Sequence, residues 1–340
     1  MAPLIELRRL TVEIPTPAGW IRPVDDVSFC LEKGESLGLV GESGSGKSML
    51  ALALMGLLPQ GARARGEAWL ADPSFVGTSA NGAASNGSRA RVNLLALTER
   101  EQTGVRGRDI AMIFQEPMTA LNPVMRVGAQ IAESVRAHEK NLPRGEVDRR
   151  VAAALERAAV PEPTRRARQY PHQLSGGLRQ RAMIAMALAG GNGNAPRLLI
   201  ADEPTTALDV TVQKQILDLL AELRRDLGLA LLFITHDLGV VARVADRIAV
   251  TYAGRIVEEG SAREVLERPR HPYTAGLLRA SPQLVRHKLE PIAGAVPSLT
   301  ALPPGCAFEP RCPVRIAECA AAMPDLRDAG LEHRARCVLV

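Results

Sequence analysis

The hydrophobic positions of the chain follow two different periods. Largely apolar runs at 110–114, 197–201 and 230–234 are typical of strands buried on both faces of a parallel sheet. Residues 127–160 follow a helical pattern instead, with apolar positions three or four apart over 151–159. Helical patterns also separate the last two apolar runs. This alternation predicts an α/β domain with a parallel sheet and an inserted helical segment.

The ends of this domain and one internal segment have a different character. Two strand patterns predict an N-terminal β region, at 4–14 and 24–31. Residues 72–91 are rich in Gly, Ser, Asn and Ala, which predicts a flexible surface insertion. The α/β pattern ends near residue 267, so we expect one domain over 1–267. The Pro-rich remainder, 268–340, carries four of the five cysteines and is expected to form a smaller C-terminal region.

A glycine-rich segment separates a predicted strand at 36–40 from a predicted helix at 49–58. Its eight residues fit the pattern G-x-x-x-x-G-K-S/T: Gly41, Glu42, Ser43, Gly44, Ser45, Gly46, Lys47 and Ser48. Glycines let the backbone approach phosphate oxygens, and the N–H groups at a helix start attract the anion. Lys47 is expected to reach the β- and γ-phosphates as a catalytic group, and Ser48 to bind Mg²⁺. The segment predicts a nucleotide phosphate-binding loop.

A pair of carboxylates ends another apolar run. Residues 198–201 are followed directly by Asp202 and Glu203. Asp202 is expected to hold Mg²⁺, directly or through water, because hard cations prefer oxygen ligands. Glu203 is expected to act as the general base that polarises the attacking water. Downstream of a phosphate loop, this arrangement predicts nucleotide hydrolysis.

A serine and two glycines lie between these two motifs. Residues 174–180 read LSGGLRQ and precede a predicted helix that runs to about residue 189. Ser175, Gly176 and Gly177 would place a hydroxyl and exposed N–H groups at a helix N-terminus, which suits a second phosphate contact. Serine and glycine also favour ordinary turns and caps, so the order of the three motifs carries the prediction. Gln180 belongs to the same predicted nucleotide-contacting segment.

Taken together, these motifs resemble those of ABC transporter ATP-binding subunits, with 174–180 as the signature motif. The resemblance covers about residues 4–267. It implies a P-loop NTPase cassette: a RecA-like parallel-sheet core, an N-terminal antiparallel β region, and a helical subdomain over about 116–190. The C-terminal region would then be a small cysteine-containing tail.

The resemblance assigns roles to four more residues. Gln115 is similar to the loop glutamine that contacts Mg²⁺ and responds to the transmembrane partner. Asp209, in Ala207-Leu208-Asp209, is similar to the D-loop residue at the dimer interface, and His236 to the switch histidine that senses the γ-phosphate. Trp20 is the candidate for the aromatic residue that stacks on adenine, with an ordinary surface or core tryptophan as the alternative.

The family mechanism implies partners. Two cassettes sandwich two ATP molecules, each phosphate loop facing the signature motif of the other subunit; binding closes the dimer and hydrolysis reopens it. Residues 271–278, HPYTAGLL, resemble the stretch that follows the cassette in dipeptide and oligopeptide importer ATPases. This implies a second, non-identical ATPase subunit, two permease subunits and an extracytoplasmic binding protein. The chain would lie peripherally on the cytoplasmic face of the cell membrane.

Four cysteines lie within about thirty residues of the tail: Cys306, Cys312, Cys319 and Cys337. Such a cluster suggests metal more than disulfides in a cytosolic protein. Four thiolates suit Zn²⁺ or an iron–sulfur cluster, but C-x-x-C pairs typical of zinc sites are missing. The importer group carries cysteines in this arrangement, and that resemblance implies a 4Fe–4S cluster. Zinc and unmetallated thiols remain the alternatives.

Composition narrows the classes of function. Hydrophobic residues make up 46% of the chain, but no apolar stretch approaches the ~20 residues that span a bilayer. The net charge of +5 is not concentrated in basic segments interleaved with aromatics, so no nucleic-acid partner is expected. The resemblance leaves two alternatives to a peptide importer: the same machinery importing nickel, glutathione or another small solute, and a non-transport ABC ATPase.

Overall fold

The computed structural model describes residues 3–71, 91–191, 195–206, 208–282, 290–330 and 332–340. The predicted insertion at 72–91 lies outside these ranges except for Arg91. The strands are β1 Ile5–Thr16, β2 Gly19–Leu31, β3 Ser36–Val40, β4 Arg63–Ala71, β5 Arg91–Asn93, β6 Ile110–Ile113, β7 Leu198–Asp202, β8 Ala230–Thr235, β9 Arg247–Tyr252, β10 Arg255–Ser261, β11 Arg327–Gly330 and β12 His333–Ala335. The helices are α1 Lys47–Leu54, α2 Glu99–Val105, α3 Pro117–Ala120, α4 Val127–His138, α5 Arg144–Arg157, α6 Pro163–Ala167, α7 Gly176–Leu188, α8 Val210–Leu227, α9 Leu238–Val241, α10 Ala262–Glu267, α11 Pro272–Ala280 and α12 Glu318–Ala321.

The described chain divides into two compact units that interleave along the sequence. The first unit comprises mainly residues 70–232, and the second comprises 5–31, 36–69 and 233–340. The apolar runs predicted as buried strands form β6, β7 and β8, and every residue in these strands is buried. Continuous apolar sequence forms strands here because both faces of each strand are covered.

In the first unit, β6 and β7 are parallel and register Ile113 against Ala201. The predicted helical stretch forms two helices, α4 and α5, separated by a turn that ends at Pro143. Helix α5 packs against α4, α6 and α7. Its apolar face is buried, and Val147 and Leu155 have no exposed surface.

In the second unit, β1 and β2 form an antiparallel hairpin that continues beyond both predicted strands to meet at Thr16 and Gly19. The larger sheet of this unit has the order β11-β12-β10-β9-β3, with β3 and β9 parallel. Strand β12 pairs with β10, so Ala335 lies opposite Glu258. Helix α11 begins at Pro272, within the tail segment that resembles the importer ATPases. The two tail strands were not predicted, because they are only four and three residues long and carry few apolar side chains. The boundary near residue 267 stays a prediction.

Candidate functional site

The glycine-rich loop begins where β3 ends. Val40 pairs with Val250 of β9, and the hydroxyl of the next residue, Thr251, donates to the Val40 carbonyl at 3.1 Å. A Cβ built on Gly41 would lie 2.2 Å from the Thr251 carbonyl oxygen, so only glycine fits this close approach. The predicted strand–loop–helix context of the motif is therefore present, with β3 before the loop and α1 after it.

Lys47 holds the loop in a curve around its ammonium group. The side chain is buried, and Nζ donates to the carbonyls of Gly41 at 2.8 Å and Glu42 at 3.0 Å, and to Ser45 Oγ at 3.2 Å. Ser43 and Gly44 are exposed at the rim, and Ser48 lies half-buried in the first turn of α1. A cation enclosed by backbone, next to an exposed rim and a helix start, forms a site for an anion such as a phosphate group.

The carboxylate pair lies in the other unit, at the ends of two parallel strands. Asp202 is the last residue of β7 and is buried, and Glu203 follows it. Because β6 and β7 run in register, Gln115 and Glu203 both come two residues beyond the last registered pair. Gln115 Nε2 donates to Glu203 Oε2 at 3.3 Å, and Thr206 Oγ1 donates to the same oxygen at 2.8 Å. The structure thus brings together two of the predicted site residues and adds Thr206, which the sequence did not single out.

Glu203 has an unusual backbone conformation. Its φ is +45°, in the left-handed region that non-glycine residues rarely adopt. Such a conformation costs on the order of 1–2 kcal/mol and persists only where the surrounding structure imposes it. Here the backbone strain and the two hydrogen bonds fix the carboxylate direction, as a general base requires.

The serine–glycine motif caps a helix, as predicted. Ser175 precedes α7 and is exposed, and its Oγ accepts from the Leu178 N–H at 3.4 Å. A Cβ on Gly177 would lie 2.7 Å from Val212 Cγ1, so α8 passes close to this turn. Gly176 is exposed beside it. Gln180, predicted to belong to the nucleotide-contacting segment, is buried in α7, and its Nε2 has no hydrogen-bond partner among the described residues. Its role stays a prediction.

Three other predicted residues are also placed. Asp209 is exposed and caps α8, with Oδ1 accepting from the Val212 N–H at 2.9 Å, whereas Ala207 lies outside the described residues. His236 is exposed immediately after β8. Trp20 is 48% exposed on the β1–β2 hairpin, and the Arg63 guanidinium lies 4.5 Å from its ring centroid. An exposed aromatic face is compatible with stacking, but the functional roles of all three residues stay predictions.

The four tail cysteines line one small cavity together with His271 and Phe308. All are free thiols. Burial raises the pKa of the Cys306, Cys312 and Cys337 thiols, and the neighbouring sulfur atoms raise them further. Burial also lowers the pKa of His271 to about 3, so its neutral ring accepts the Tyr273 N–H through Nδ1 at 3.1 Å. Within the part of the chain that is described, no three His, Cys, Asp or Glu side chains are grouped as ligands of a single metal ion.

A contact from the tail to the phosphate loop could not be found by sequence reasoning. Arg311 forms an ion pair with Glu42, although 269 positions separate them. Tyr273 also contacts Glu42, with its hydroxyl accepting from the Glu42 N–H at 2.9 Å. Hydrogen bonding to Glu42 raises the pKa of the Arg311 guanidinium, so the positive charge of Arg311 is maintained. No local motif signals such a long-range pair.

The described helices include none with the length and apolar character needed to cross a bilayer.

Two family models match the chain. Residues 24–206 match the family described as ABC transporter, and residues 257–319 match the C-terminal region of oligopeptide/dipeptide transporters. The first match includes the phosphate loop, the serine–glycine motif and the carboxylate pair. The second begins in β10 and includes three of the four tail cysteines.

Individual relatives and a solved structure are similar to this chain in the same way as the family models. The oligopeptide transport ATP-binding protein OppD of Salmonella typhimurium is 47% identical over 94% of this chain and 89% of its own. OppD of Mycobacterium tuberculosis is 46% identical over 99% of this chain, and the alignment covers 52% of that longer protein. Among solved structures, the dimeric ATP-binding cassette MJ0796 bound to ADP and phosphate is 27% identical, with a TM-score of 0.61, covering 76% of this chain and 99% of that one.

Proposed function

Because the chain belongs to the ABC transporter family, we propose that it is the ATP-hydrolysing subunit that powers import of dipeptides or oligopeptides by a multi-subunit ABC importer. The observation that carries the ATPase part is the Glu203 carboxylate, held by Gln115 and Thr206 at the ends of parallel strands. The peptide cargo is supported by the names of the relatives and by the match of the tail region.

The reaction is hydrolysis of ATP to ADP and inorganic phosphate. The backbone N–H groups of the loop and Lys47 bind the phosphates and offset the charge that develops during transfer. Glu203 accepts a proton from the attacking water, and the water oxygen forms the new bond to the γ-phosphorus as the bond to the ADP oxygen breaks. His236 and the Ser175 hydroxyl are the further residues that we assign to the γ-phosphate.

A magnesium ion would complete this chemistry by neutralising phosphate charge. The residues that we assign to it are Ser48, Gln115 and Asp202. Hydroxyl, amide and carboxylate oxygens are the donors that Mg²⁺ prefers, so this donor set fits the ion.

The assembly that we propose contains partners that this chain does not include. They are a second, non-identical ATPase subunit, two permease subunits and an extracytoplasmic substrate-binding protein, with this chain on the cytoplasmic face of the membrane. The proposal for the permeases is supported by the transporter relatives. Nickel, glutathione or another small solute remains the alternative cargo, because the binding protein and the permeases select what is carried.

An uptake assay tests this function. Cells whose only copy of the protein is wild type should accumulate radiolabelled dipeptide, and cells carrying Glu203→Gln should lose at least ~90% of that uptake because the import step lacks its energy source. Unlabelled peptides should compete with the label, whereas glutathione and Ni²⁺ should not. Competition by glutathione or Ni²⁺ alone would move the cargo to the alternative class, and uptake that persists in the mutant would contradict the proposal.

We also propose a 4Fe–4S cluster on Cys306, Cys312, Cys319 and Cys337. Four thiols around one apolar cavity are the donor set that such a cluster requires. The ligands of a polynuclear cluster stand farther apart than those of one ion, which is compatible with the lack of a single-ion site among the described residues. When bound, the cluster would cross-link four points of the tail. The cysteines would bind it as thiolates, although burial raises the pKa of Cys306, Cys312 and Cys337.

This proposal predicts the effect of single thiol removal. Protein purified without oxygen should be brown and contain iron and sulfide, and Cys312→Ser should lose most of both. Cys30→Ser is the matched control, because Cys30 lies in β2 outside the tail cavity, and it should keep the wild-type iron content. Colourless wild-type protein that lacks iron would rule out the cluster, and stoichiometric zinc would identify the alternative metal.

A further inference from the structure

The carboxylate of Glu42, the second residue of the phosphate loop, is held by a buried guanidinium of the tail. Arg311 Nη1 donates to Glu42 Oε2 at 2.7 Å, and Nη2 donates to Oε1 at 3.1 Å. Two parallel charge-assisted bonds fix direction as well as distance. The Arg311 side chain is only 4% exposed and that of Glu42 30%, so water screens this pair less than it screens a fully exposed one.

The backbone of the same loop residue is held at two more points. The Glu42 N–H donates to the hydroxyl of Tyr273, which is completely buried. The Glu42 carbonyl accepts from Lys47 Nζ at 3.0 Å. All three polar parts of Glu42 therefore have a partner, and the peptide plane at the start of the loop is fixed from the tail side.

Arg311 is in turn held by the segment that carries the cysteines. It precedes Cys312 directly, and its backbone N–H donates to the Phe308 carbonyl at 3.0 Å. Its guanidinium lies 5.9 Å from the Phe308 ring centroid and 5.8 Å from that of Tyr252. Its Nε donates to the Ala293 carbonyl at 3.0 Å. Phe308 and Cys312 both line the four-cysteine cavity, so Arg311 is held in part by residues of the cavity wall.

We infer that Arg311 and Tyr273 are positioning residues of the phosphate loop, through which the four-cysteine segment of the tail sets the affinity for nucleotide. The loop binds phosphate with backbone N–H groups, whose orientation must be established before the anion arrives. Ordering the loop when nucleotide binds costs conformational entropy. Because Glu42 is already held from outside the loop, part of this entropy cost is absent. Because coupling between sites is reciprocal, bound nucleotide also stabilises the cysteine segment. This inference rests on the proposed ATP binding.

The test measures nucleotide affinity in the full chain. Arg311→Gln is expected to weaken ATP binding on the order of tenfold. The substitution removes the charge-assisted pair, so the Glu42 carboxylate loses its guanidinium partner. Tyr273→Phe removes only the hydroxyl that accepts from Glu42 and should weaken binding several-fold with little loss of stability. In the assembled transporter, both variants should raise KM for ATP more than they lower kcat.

Arg315→Gln is the matched control. Arg315 lies in the same tail segment, is exposed, and pairs with the half-buried Glu309 at 3.5 Å; none of the hydrogen bonds or ion pairs of the described residues joins it to the loop. It should bind ATP like the wild type. Cys312→Ser should weaken ATP binding as Arg311→Gln does, and the double variant should be little weaker than either single one, because both act through one guanidinium.

These outcomes separate the inference from its alternatives. Folded Tyr273→Phe and Arg311→Gln proteins with wild-type ATP affinity would overturn it. It would also be overturned if the Cys312→Ser and Arg311→Gln losses of ATP affinity multiplied in the double variant. Weaker binding that follows only the loss of thermal stability would also overturn it, since a merely structural role lowers Tm without a specific change in KM. Wild-type protein that fails to bind ATP would instead contradict the proposed function.

Discussion

Glu203→Gln in the assembled transporter is expected to lower ATP turnover about 100-fold or more while ATP binding persists. An amide cannot accept the proton of the attacking water, and general-base catalysis contributes ~10²–10⁴ to the rate. The exchange preserves the size of the side chain and one oxygen that can accept from Gln115 and Thr206. Single-turnover hydrolysis in the reconstituted complex measures the rate, and fluorescent-nucleotide titration of the isolated subunit measures binding.

The same exchange at a surface position controls for loss of charge. Glu222 is exposed on α8, so Glu222→Gln should leave both turnover and binding within about twofold of the wild type. If Glu203→Gln turned over ATP within about threefold of the wild type, another group would have to be the general base. If Glu203→Gln lost nucleotide binding as well, the substitution would have disturbed the local fold and not only the chemical step. The strained backbone at this position limits which side chains it tolerates.

The ATP motifs could be predicted from sequence because each is local. In the phosphate loop, the strand, the glycines and the lysine lie within twelve residues, so short-range rules describe β3, the loop and α1 together. The same holds for Asp202 and Glu203 at the end of β7. Even the pairing of Gln115 with Glu203 follows from parallel strands that end at one edge, although the sequence did not give their register.

The contacts of the tail could not be predicted in this way. Arg311 and Glu42 are distant in sequence and belong to no common pattern, so only the folded chain brings them together. The short strands β11 and β12 carry too few apolar residues for a period to be read. Gln180 is a further case: the motif predicts its place beside the nucleotide, but only the structure shows that the side chain is buried in α7, so its role stays a prediction.

Gly46→Ala is expected to abolish nucleotide binding and to lower the stability of the protein by about 4 kcal/mol or more. Gly46 has φ +96°, which alanine adopts only with strain, and a Cβ there would lie 1.7 Å from the Pro23 carbonyl oxygen. The Cβ is attached directly to the loop backbone, and the oxygen that it would meet belongs to the backbone of β2. No flexible side chain can move aside, so the loop or β2 must shift. Because α1 begins at the next residue, the shift also displaces Lys47 from the loop carbonyls. Thermal unfolding should show Tm lower by roughly 10 °C, and titration should show no saturable ATP binding.

Gly44→Ala separates backbone strain from collision within the same loop. Gly44 also has a positive φ, +80°, but no described atom lies within 4 Å of its Cβ position. Its alanine variant therefore carries only the conformational cost, about 1–2 kcal/mol, and its Tm should fall by much less than that of Gly46→Ala. Equal losses in the two variants would show that the left-handed conformation alone limits both positions. A smaller loss for Gly46→Ala would contradict the close approach of the Pro23 carbonyl, and with it the fixed path of the loop from which Lys47 reaches the phosphates.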